Sequence, residues 1–185
     1  MVAYFQLQPA EAELQQLAEQ YWKETGEKDQ ELERAAFEAG EAIRNGETTL
    51  ANLEAIVRWK SERAVHYLIG NSNEKIKQSL AIAASPGSTT EAAVRALLEL
   101  HGVDLLVASA ILAAIFPERY AALDYRTLEA LGHARHDVHF YEEYLDFCNR
   151  LAESNMVNPQ DGLPGPTKLR ALGRALWEWS RNHAG

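Results

Sequence analysis

Histidine and aspartate side chains cluster in the segment GHARHDVHF, and such clusters can ligate a metal ion. The segment contains His133, His136, Asp137 and His139. A spacing of three residues between His133 and His136 would place both imidazoles on one helical face. Gly132, however, ends the preceding helical pattern, and no Glu-x-x-His or His-Glu-x-x-His sequence accompanies the cluster. We therefore expect an exposed polar connection here, without a metal.

A thiol can act as a nucleophile or as a metal ligand, and the sequence contains one cysteine, Cys148. A lone cysteine cannot form an intramolecular disulfide, nor can it complete a four-cysteine zinc or iron–sulfur site. Cys148 lies among apolar residues in YLDFCNRL, so its expected role is packing in the core. No cofactor is expected from the sequence.

Cationic side chains that could contact phosphate occur in two places. The segment RWKSER, from Arg58 to Arg63, is the densest basic cluster. On a continuous helix Trp59 and Arg63 would be neighbours able to stack, with Lys60 on another face. A solvated or structural role is expected here ahead of phosphate binding. A second set lies on the polar face of the last predicted helix and could contact a nucleic-acid backbone or keep that helix soluble: Arg170, Arg174 and Arg181.

Two aspartates lie at predicted helix starts. In LELHGVDLLVASAIL one helix is expected to end at Leu100 and the next to begin at Leu105, with Gly102 and Asp104 in the turn. Free amides at the start of the second helix could bind an anion, but Asp104 places a carboxylate where a phosphate would lie. Asp124, in ALDYRTL, precedes another short helix and is a natural N-cap.

The elements that carry these residues all have helical periodicity. Apolar stripes predict helices near residues 10–21, 32–43, 50–57, 64–69, 74–84 and 93–100, from 105 onward, and near 125–131, 141–151 and 169–179. Ser88 and Glu91 have the spacing of a capping box at the start of the helix that contains Ala93. No stretch long enough to form a β-strand alternates β-branched and polar residues. We expect an all-α fold of about ten helices, with one longer loop at NPQDGLPGPT.

Length and hydropathy favour one soluble domain over residues 1–185, with 46% hydrophobic residues available for a core. The longest apolar run, from Leu105 to Phe116, is too short for the roughly 20 residues that a membrane span needs. The first residues lack the pattern of an export signal, so a cytoplasmic location without membrane attachment is expected.

The net charge of −9 argues at first against a nucleic-acid partner, because phosphate binding depends on lysine and arginine. The charge is unevenly distributed, however. Residues 1–47 contain 11 acidic and 4 basic residues, whereas residues 48–185 contain 16 and 14. Most of the acidity therefore belongs to the first two helices, and the rest of the chain is nearly neutral.

The segment LELHGVDLLVASAILAAIFPERYAALDYRTLEALG, residues 98–132, resembles the core of the helix-hairpin-helix DNA glycosylase superfamily. Members combine a Leu-x-Gly-Val-Gly-type hairpin, a helix with small residues and an extended segment ending in a catalytic aspartate. The resemblance implies a compact all-α glycosylase-like fold with a helix-hairpin-helix core at 88–132. An acidic helical pair at 1–47 precedes this core, and C-terminal helices at 139–185 follow it.

The resemblance also implies roles for individual residues. Gly102, Val103 and Asp104 occupy the hairpin, with Asp104 in place of the second glycine. Leu106 lies where bifunctional members carry a lysine that forms a Schiff base with the sugar, so lyase chemistry is not expected. Asp124 corresponds to the catalytic aspartate. Double-stranded DNA is the implied partner, and Lys60 and Arg126 are further candidates for contacting it.

A lone carboxylate suits the hydrolysis of an N-glycosidic bond, because positive charge develops on the sugar and an aspartate can stabilise it. The target base must leave the duplex and enter a pocket, normally with aromatic walls. The available aromatic residues are Trp59, Tyr67, Tyr125, Trp177 and Trp179. Capping of the following helix without catalysis is the alternative role for Asp124.

Three functions are therefore open: a monofunctional DNA N-glycosylase, a non-catalytic scaffold that binds nucleic acid or a protein, and a binder of a small N-glycoside. An open aromatic-lined cleft with a positive rim around Asp124 would favour the first. A sealed cleft or an acidic rim would favour the second. A closed pocket without a basic track for a duplex would favour the third.

Overall fold

A computed structural model of the chain describes residues 5–133 and 138–184. Within these ranges the chain forms ten α-helices, two short 3-10 helices and no strand, which confirms the all-α prediction. The helices are α1 (Leu14–Glu24), α2 (Glu27–Arg44), α3 (Leu50–Lys60), α4 (Glu62–Val65), α5 (Asn73–Ala83), α6 (Thr90–Leu98), α7 (Leu105–Ile115), α8 (Tyr125–Glu129), α9 (Val138–Glu153) and α10 (Lys168–His183). The 3-10 helices cover Glu11–Glu13 and His66–Gly70.

Helix α7 is the centre of the core. Every residue from Leu105 to Ile115 is buried except Leu106, which is partly exposed. Apolar side chains from the other helices pack with it in one contiguous cluster. The long apolar run is thus a buried helix, as predicted, and none of the helices described is long and apolar enough to cross a membrane.

The two acidic helices are integrated into this core. Helix α1 packs against α10, and α2 packs against α3 and α7. The approach of α2 to α7 depends on Gly40, since a Cβ at that position would overlap the backbone carbonyl of Ala114. The acidic residues therefore belong to helices that hold the central helix in place.

The start of α6 differs from its prediction. Thr89, not Ser88, is the N-cap, and its Oγ1 accepts a hydrogen bond of 3.1 Å from the amide of Ala92. The Ser88 hydroxyl instead donates to the carbonyl of Ile82, and Glu91 pairs with Arg95 one turn later. Two adjacent hydroxyl residues each offer a cap, and the backbone selects the second. Helix α6 also ends two residues early, at Leu98.

Of the arginines predicted on the polar face of the last helix, one is fully buried and a second is largely buried. Arg174 is fully buried, and its guanidinium donates to Glu33 Oε1 of α2 at 2.8 Å. Arg170, with 12% of its side chain exposed, donates to the same carboxylate oxygen through Nε at 2.7 Å. Burial and the neighbouring Arg170 lower the pKa of Arg174 to about 10. The solvated role is wrong for both residues, because both guanidinium groups pair with the buried carboxylate of Glu33.

The RWKSER segment also differs from its prediction, because it is not one continuous helix. Helix α3 ends at Lys60 and α4 begins at Glu62, so Trp59 and Arg63 are not neighbours on one helix. The Trp59 ring instead lies 5.2 Å from the Arg170 guanidinium and 5.5 Å from the Phe37 ring. The Trp59 side chain at the end of α3 therefore contacts α10 and α2, and not Arg63.

Candidate functional site

A cleft with a volume of about 1260 Å³ opens between α3 and α4, the turn before α7, the start of α8, and α10. It brings together all seven residues predicted for catalysis or nucleic-acid binding: Lys60, Gly102, Val103, Asp104, Leu106, Asp124 and Arg126. These residues come from three separate parts of the chain, so their meeting in one cleft is a property of the fold.

Aromatic side chains line this cleft, and most of them were predicted. Trp59, Tyr67, Tyr125 and Trp177 are among the lining residues. Tyr67 and Tyr125 are largely exposed at 63% and 65%. Trp179 does not line the cleft and stacks on His183, with ring centroids 4.3 Å apart. The sequence analysis missed Tyr21 of α1, which lies in the cleft wall with its ring edge against Trp177.

The turn between α6 and α7 is held against the 3-10 helix His66–Gly70. Gly102 adopts a φ of +87°, a conformation that favours glycine. A Cβ at Gly102 would lie 3.0 Å from both the Ala64 carbonyl oxygen and Tyr67 Cβ. The Asn71 side chain accepts from the amide of His101 at 2.8 Å and donates to its carbonyl at 3.0 Å. The turn is therefore fixed at the cleft mouth on both sides.

Asp104 caps α7 with its own carboxylate. Its Oδ1 accepts a hydrogen bond of 2.9 Å from the amide of Val107. One of the amides that could bind a phosphate at this helix start is thus already occupied by a negative side chain. This geometry gives a physical basis for the doubt that the sequence raised about phosphate binding at Asp104.

Asp124 caps α8, which confirms the predicted cap. Its Oδ1 accepts from the amide of Thr127 at 2.9 Å, and Thr127 Oγ1 accepts in return from the amide of Asp124 at 3.1 Å. The Asp124 side chain is 25% exposed and lines the cleft. The carboxylate is therefore held at a fixed orientation while part of it remains accessible.

Lys60 supplies a cation beside this carboxylate. Its Nζ lies 3.5 Å from Asp124 Oδ2 and donates to the carbonyl of Leu123 at 2.9 Å. Burial lowers the pKa of Lys60, and the charge of Asp124 opposes that shift without cancelling it. The predicted DNA-contact residue is thus engaged with the protein's own aspartate at the cleft wall.

The extended segment before Asp124 is held by side chains from two further helices. The buried hydroxyl of Ser109 in α7 accepts a hydrogen bond from the amide of Leu123 at 2.8 Å and donates one to the carbonyl of Leu106 at 2.7 Å. Tyr141 and Tyr144 of α9 donate to the carbonyls of residues 121 and 122, each at 3.0 Å. Together with Lys60, these side chains bind the carbonyls of residues 121–123 and the amide of Leu123. The position of Asp124 is therefore fixed by α3, α7 and α9.

Sequence analysis missed the role of Ser109. It is the one polar residue in the apolar run of α7, and it is fully buried. A buried hydroxyl needs a hydrogen-bond partner, so a serine in the middle of an apolar helix was a usable signal. Its partner, 14 residues later, could not be identified from local pattern.

The charges that line the cleft are balanced. Five are basic: Lys60, Arg63, Arg126, Arg170 and Arg181. Five are acidic: Glu24, Asp29, Asp104, Asp124 and Glu129. Several of the cations are already engaged, since Arg181 pairs with Glu24 and the Arg126 guanidinium lies 4.9 Å from the Trp177 ring. The rim is neither strongly positive nor acidic.

The other predicted candidates lie away from the cleft. Cys148 is buried, as predicted, and burial raises its pKa to about 12, so it remains a protonated thiol. His133 packs against aromatic rings, 4.9 Å from Phe5 and 5.7 Å from Phe140. His136, Asp137 and the side chain of His139 lie outside the described residues.

No family model, curated protein or solved structure matches the chain.

Proposed function

We propose that this protein binds DNA in the cleft and hydrolyses an N-glycosidic bond with Asp124 as the catalytic carboxylate. One observation carries the proposal: Asp124 is oriented by its capping box and by Lys60, yet stays accessible in an open cleft with aromatic walls. The resemblance of residues 98–132 to helix-hairpin-helix glycosylases supports the same assignment.

The reaction requires stabilisation of positive charge on the sugar as the base departs. An ionised carboxylate supplies it, and the same group can orient the attacking water. Asp124 Oδ1 is engaged by the amide of Thr127, whereas Oδ2 faces Lys60 at a looser 3.5 Å. Oδ2 is therefore the atom that we assign to the sugar.

An extruded nucleotide also needs space and surfaces on which to stack. A cleft of about 1260 Å³ is larger than typical small-ligand sites, which are roughly 300–1,000 Å³. Trp59, Tyr67, Tyr125 and Trp177 offer rings of the kind that hold a base outside its duplex. Leu106 has no amine and contributes only apolar contact.

Base release is the direct test. Duplexes containing single damaged or mispaired bases, covering a broad lesion panel, would be incubated with wild-type protein and with Asp124→Asn. Asparagine is also a good N-cap, so this variant keeps the helix start and removes the charge. We expect release by the wild type and a fall of about 100-fold or more in Asp124→Asn.

Asp146→Asn is the matched control, because Asp146 is an exposed aspartate of α9 outside the cleft. It is expected to behave like the wild type. Absence of base release by wild-type protein across the panel, or equal release by Asp124→Asn, would contradict the proposed reaction.

A second candidate is a non-catalytic scaffold that binds nucleic acid or a protein partner. The cap by Asp104 and the balanced charges of the cleft favour it, since neither assists phosphate binding. Binding to a duplex with an abasic-site analogue, measured against undamaged duplex at several salt concentrations, separates the candidates. Salt-dependent binding without base release would support a nucleic-acid scaffold, whereas absence of binding would contradict both DNA-binding assignments.

A further inference from the structure

The buried cluster of Glu33, Arg170 and Arg174 carries more positive charge than its carboxylate can balance. Both guanidinium groups pair with one oxygen, Glu33 Oε1, at 2.6 Å from Arg170 and 2.8 Å from Arg174. Burial lowers the pKa of Arg174 only to about 10. Burial also lowers the pKa of Arg170, but the charge of Glu33 and further contacts raise it by more. Both arginines are therefore cations at neutral pH, and one positive charge is left uncompensated.

The surplus charge is accessible at Arg170 and not at Arg174. Arg174 is fully buried, and its remaining donors bind the side chain of Gln160 at 3.1 Å and the carbonyl of Pro164 at 2.7 Å. Arg170 lines the cleft, with 12% of its side chain exposed. Its Nε and Nη2 are engaged by Glu33, whereas Nη1 donates to none of the described residues and is not closed off from solvent. Arg170 therefore presents a charged donor to the cleft.

Gly173, one turn further along α10, leaves space beside this donor. It lines the same cleft, and glycine inside a helix is less favourable than alanine. Packing does not require a glycine here. Apart from its chain neighbours and its own helix backbone, a Cβ at this position would meet one described atom within 4 Å, Arg170 Nη1 at 3.5 Å. The missing side chain therefore keeps the approach to Nη1 open.

We propose that Arg170 Nη1 binds a singly charged oxyanion, a carboxylate or a phosphodiester, on a ligand whose planar ring stacks on the aromatic wall of the cleft. A guanidinium group is well suited to both oxyanions. One surplus positive charge matches one negative charge, whereas a phosphomonoester carries nearly two at pH 7. This site does not depend on the hydrolysis proposed for Asp124.

The surroundings of Arg170 favour a small aromatic ligand. The Trp59 ring lies 5.2 Å and the Tyr21 ring 5.6 Å from its guanidinium, and both residues line the cleft. A ligand held at Nη1 therefore lies beside rings on which it can stack. The surplus charge is local, since the charges that line the whole cleft are balanced. A local positive charge suits one anionic group better than a long run of phosphates.

Two pairs of probes test the site, each pair differing in one negative charge. Phenylacetate is compared with neutral phenylacetamide, and the methyl phosphodiester of thymidine 5′-phosphate with neutral thymidine. Each probe is titrated into ¹⁵N-labelled full-length protein at low salt, and dissociation constants are obtained from the NMR chemical shifts. We expect the anion of at least one pair to bind about tenfold more tightly than its neutral counterpart, with shifts of the Trp59 indole signal.

Two variants locate the anion at Arg170 by different means. Arg170→Gln removes the surplus charge and leaves Glu33 paired with Arg174. Gly173→Leu keeps the charge but fills the space beside Nη1 with a good helix former, so it keeps the test decisive if Arg170→Gln does not fold. We expect both to abolish the preference for the anion. Gly87→Leu is the control, because a Cβ there has no neighbour within 4 Å and Gly87 does not line the cleft.

Equal binding of anion and neutral counterpart in both pairs would overturn the inference, as would a preference that survives in folded Arg170→Gln or in Gly173→Leu. A preference for the phosphodiester alone would support the site and assign it to a nucleotide ligand, whereas a preference for phenylacetate alone would support it and assign it to a small aromatic acid. Base release without anion preference would leave the glycosylase proposal standing and remove this one. Anion preference without base release would do the reverse.

Discussion

The starts of α7 and α8 present two aspartates in one cleft with the same capping geometry. Asp104 and Asp124 each accept a hydrogen bond of 2.9 Å from an amide three residues later. They differ in what surrounds the cap. Asp104 follows a glycine turn, whereas Asp124 has a reciprocal bond from Thr127, a cation at 3.5 Å and an extended segment held by neighbouring helices. Capping alone therefore does not distinguish the two carboxylates; the additional cation and the fixed backbone do.

Alanine substitutions should give the largest difference between the two aspartates, measured as the loss in free energy of unfolding. Asp104→Ala removes a cap and is expected to lower the free energy of unfolding by about 1 kcal/mol. Asp124→Ala removes a cap and also leaves Lys60 without its carboxylate partner. We expect it to lower the free energy of unfolding by about 3 kcal/mol. This value is near the lower end of the range for broken buried ion pairs, because Asp124 is partly exposed. Urea unfolding of both variants measures the difference.

A double-mutant cycle with Lys60→Met identifies the source of that difference. The coupling free energy between Lys60 and Asp124 should exceed that between Lys60 and Asp104. Equal coupling, or equal losses in the two alanine variants, would show that the ion pair does not distinguish the two helix starts.

The fixed backbone before Asp124 can be tested separately with Ser109→Ala. This substitution leaves the buried amide of Leu123 without its acceptor, and the expected loss is about 2 kcal/mol in the free energy of unfolding. Ser154→Ala, at an exposed serine, should change stability by less than about 0.5 kcal/mol. A Ser109→Ala variant as stable as the control would contradict a structural role for the Ser109 hydrogen bonds.

Removal of the negative charge of Asp104, at the start of α7, should have a smaller effect, and the quantity that it should change is the affinity for DNA. Asp104→Asn retains a cap but removes one negative charge from the cleft. If the cleft binds DNA, affinity should rise by about fivefold at low salt and the gain should shrink as salt is added. Salt-dependent filter binding measures it, and unchanged or weaker binding at low salt would place the phosphates away from α7.

The smallest expected effect is a pH dependence of stability that arises from Lys60, which pairs with Asp124 at the start of α8. Because the pKa of Lys60 is lowered in the folded protein, unfolded chains bind an extra proton between that pKa and about 10.4. Stability contributed by Lys60 should therefore rise with pH through this window. The difference in unfolding free energy between wild type and Lys60→Met should shift in favour of the wild type as pH increases.

Comparison with Lys60→Met is needed because other groups titrate in the same alkaline range. Burial raises the pKa values of Cys148, Tyr141 and Tyr144, so their contributions to stability fall as pH rises. These contributions are common to both proteins and cancel in the difference. Asp104→Asn should keep the same direction of pH dependence, because the charge of Asp104 acts on the pKa of Lys60 less strongly than that of Asp124 does. A difference independent of pH would contradict the lowered pKa of Lys60.

Local signals explain which features could be predicted from the sequence. Helical period, the apolar run of α7, the glycine turn and the cap at Asp124 are encoded within a few residues of each feature. The role of Ser109 was not predicted, because its hydrogen bond joins α7 to a segment that has no periodic pattern. Ser88 shows the limit of local signals, since Thr89 beside it was an equally good cap.

Charged residues whose partners are distant in sequence were predicted to be solvent-exposed, although they are paired in the structure. Arg170 is separated from Glu33 by 137 residues, and the pairing of Lys60 with Asp124 also depends on tertiary packing. Lysine and arginine are rarely buried unless they are paired, and the pairing cannot be read from periodicity. The cleft contained the predicted residues, but its electrostatics depended on contacts that only the fold provides.

The buried contact of Glu33 with Arg170 and Arg174 limits how the protein can be altered in the laboratory. Residues 1–47 look like a removable acidic segment, and deleting them would be an obvious way to make the net charge of the chain less negative. Such a shortened chain would leave Arg174 buried without its carboxylate and would uncover the apolar faces of α7 and α10. Charge redesign should instead replace exposed acids of α2, such as Glu27, Glu31 and Glu38, which lie outside that contact.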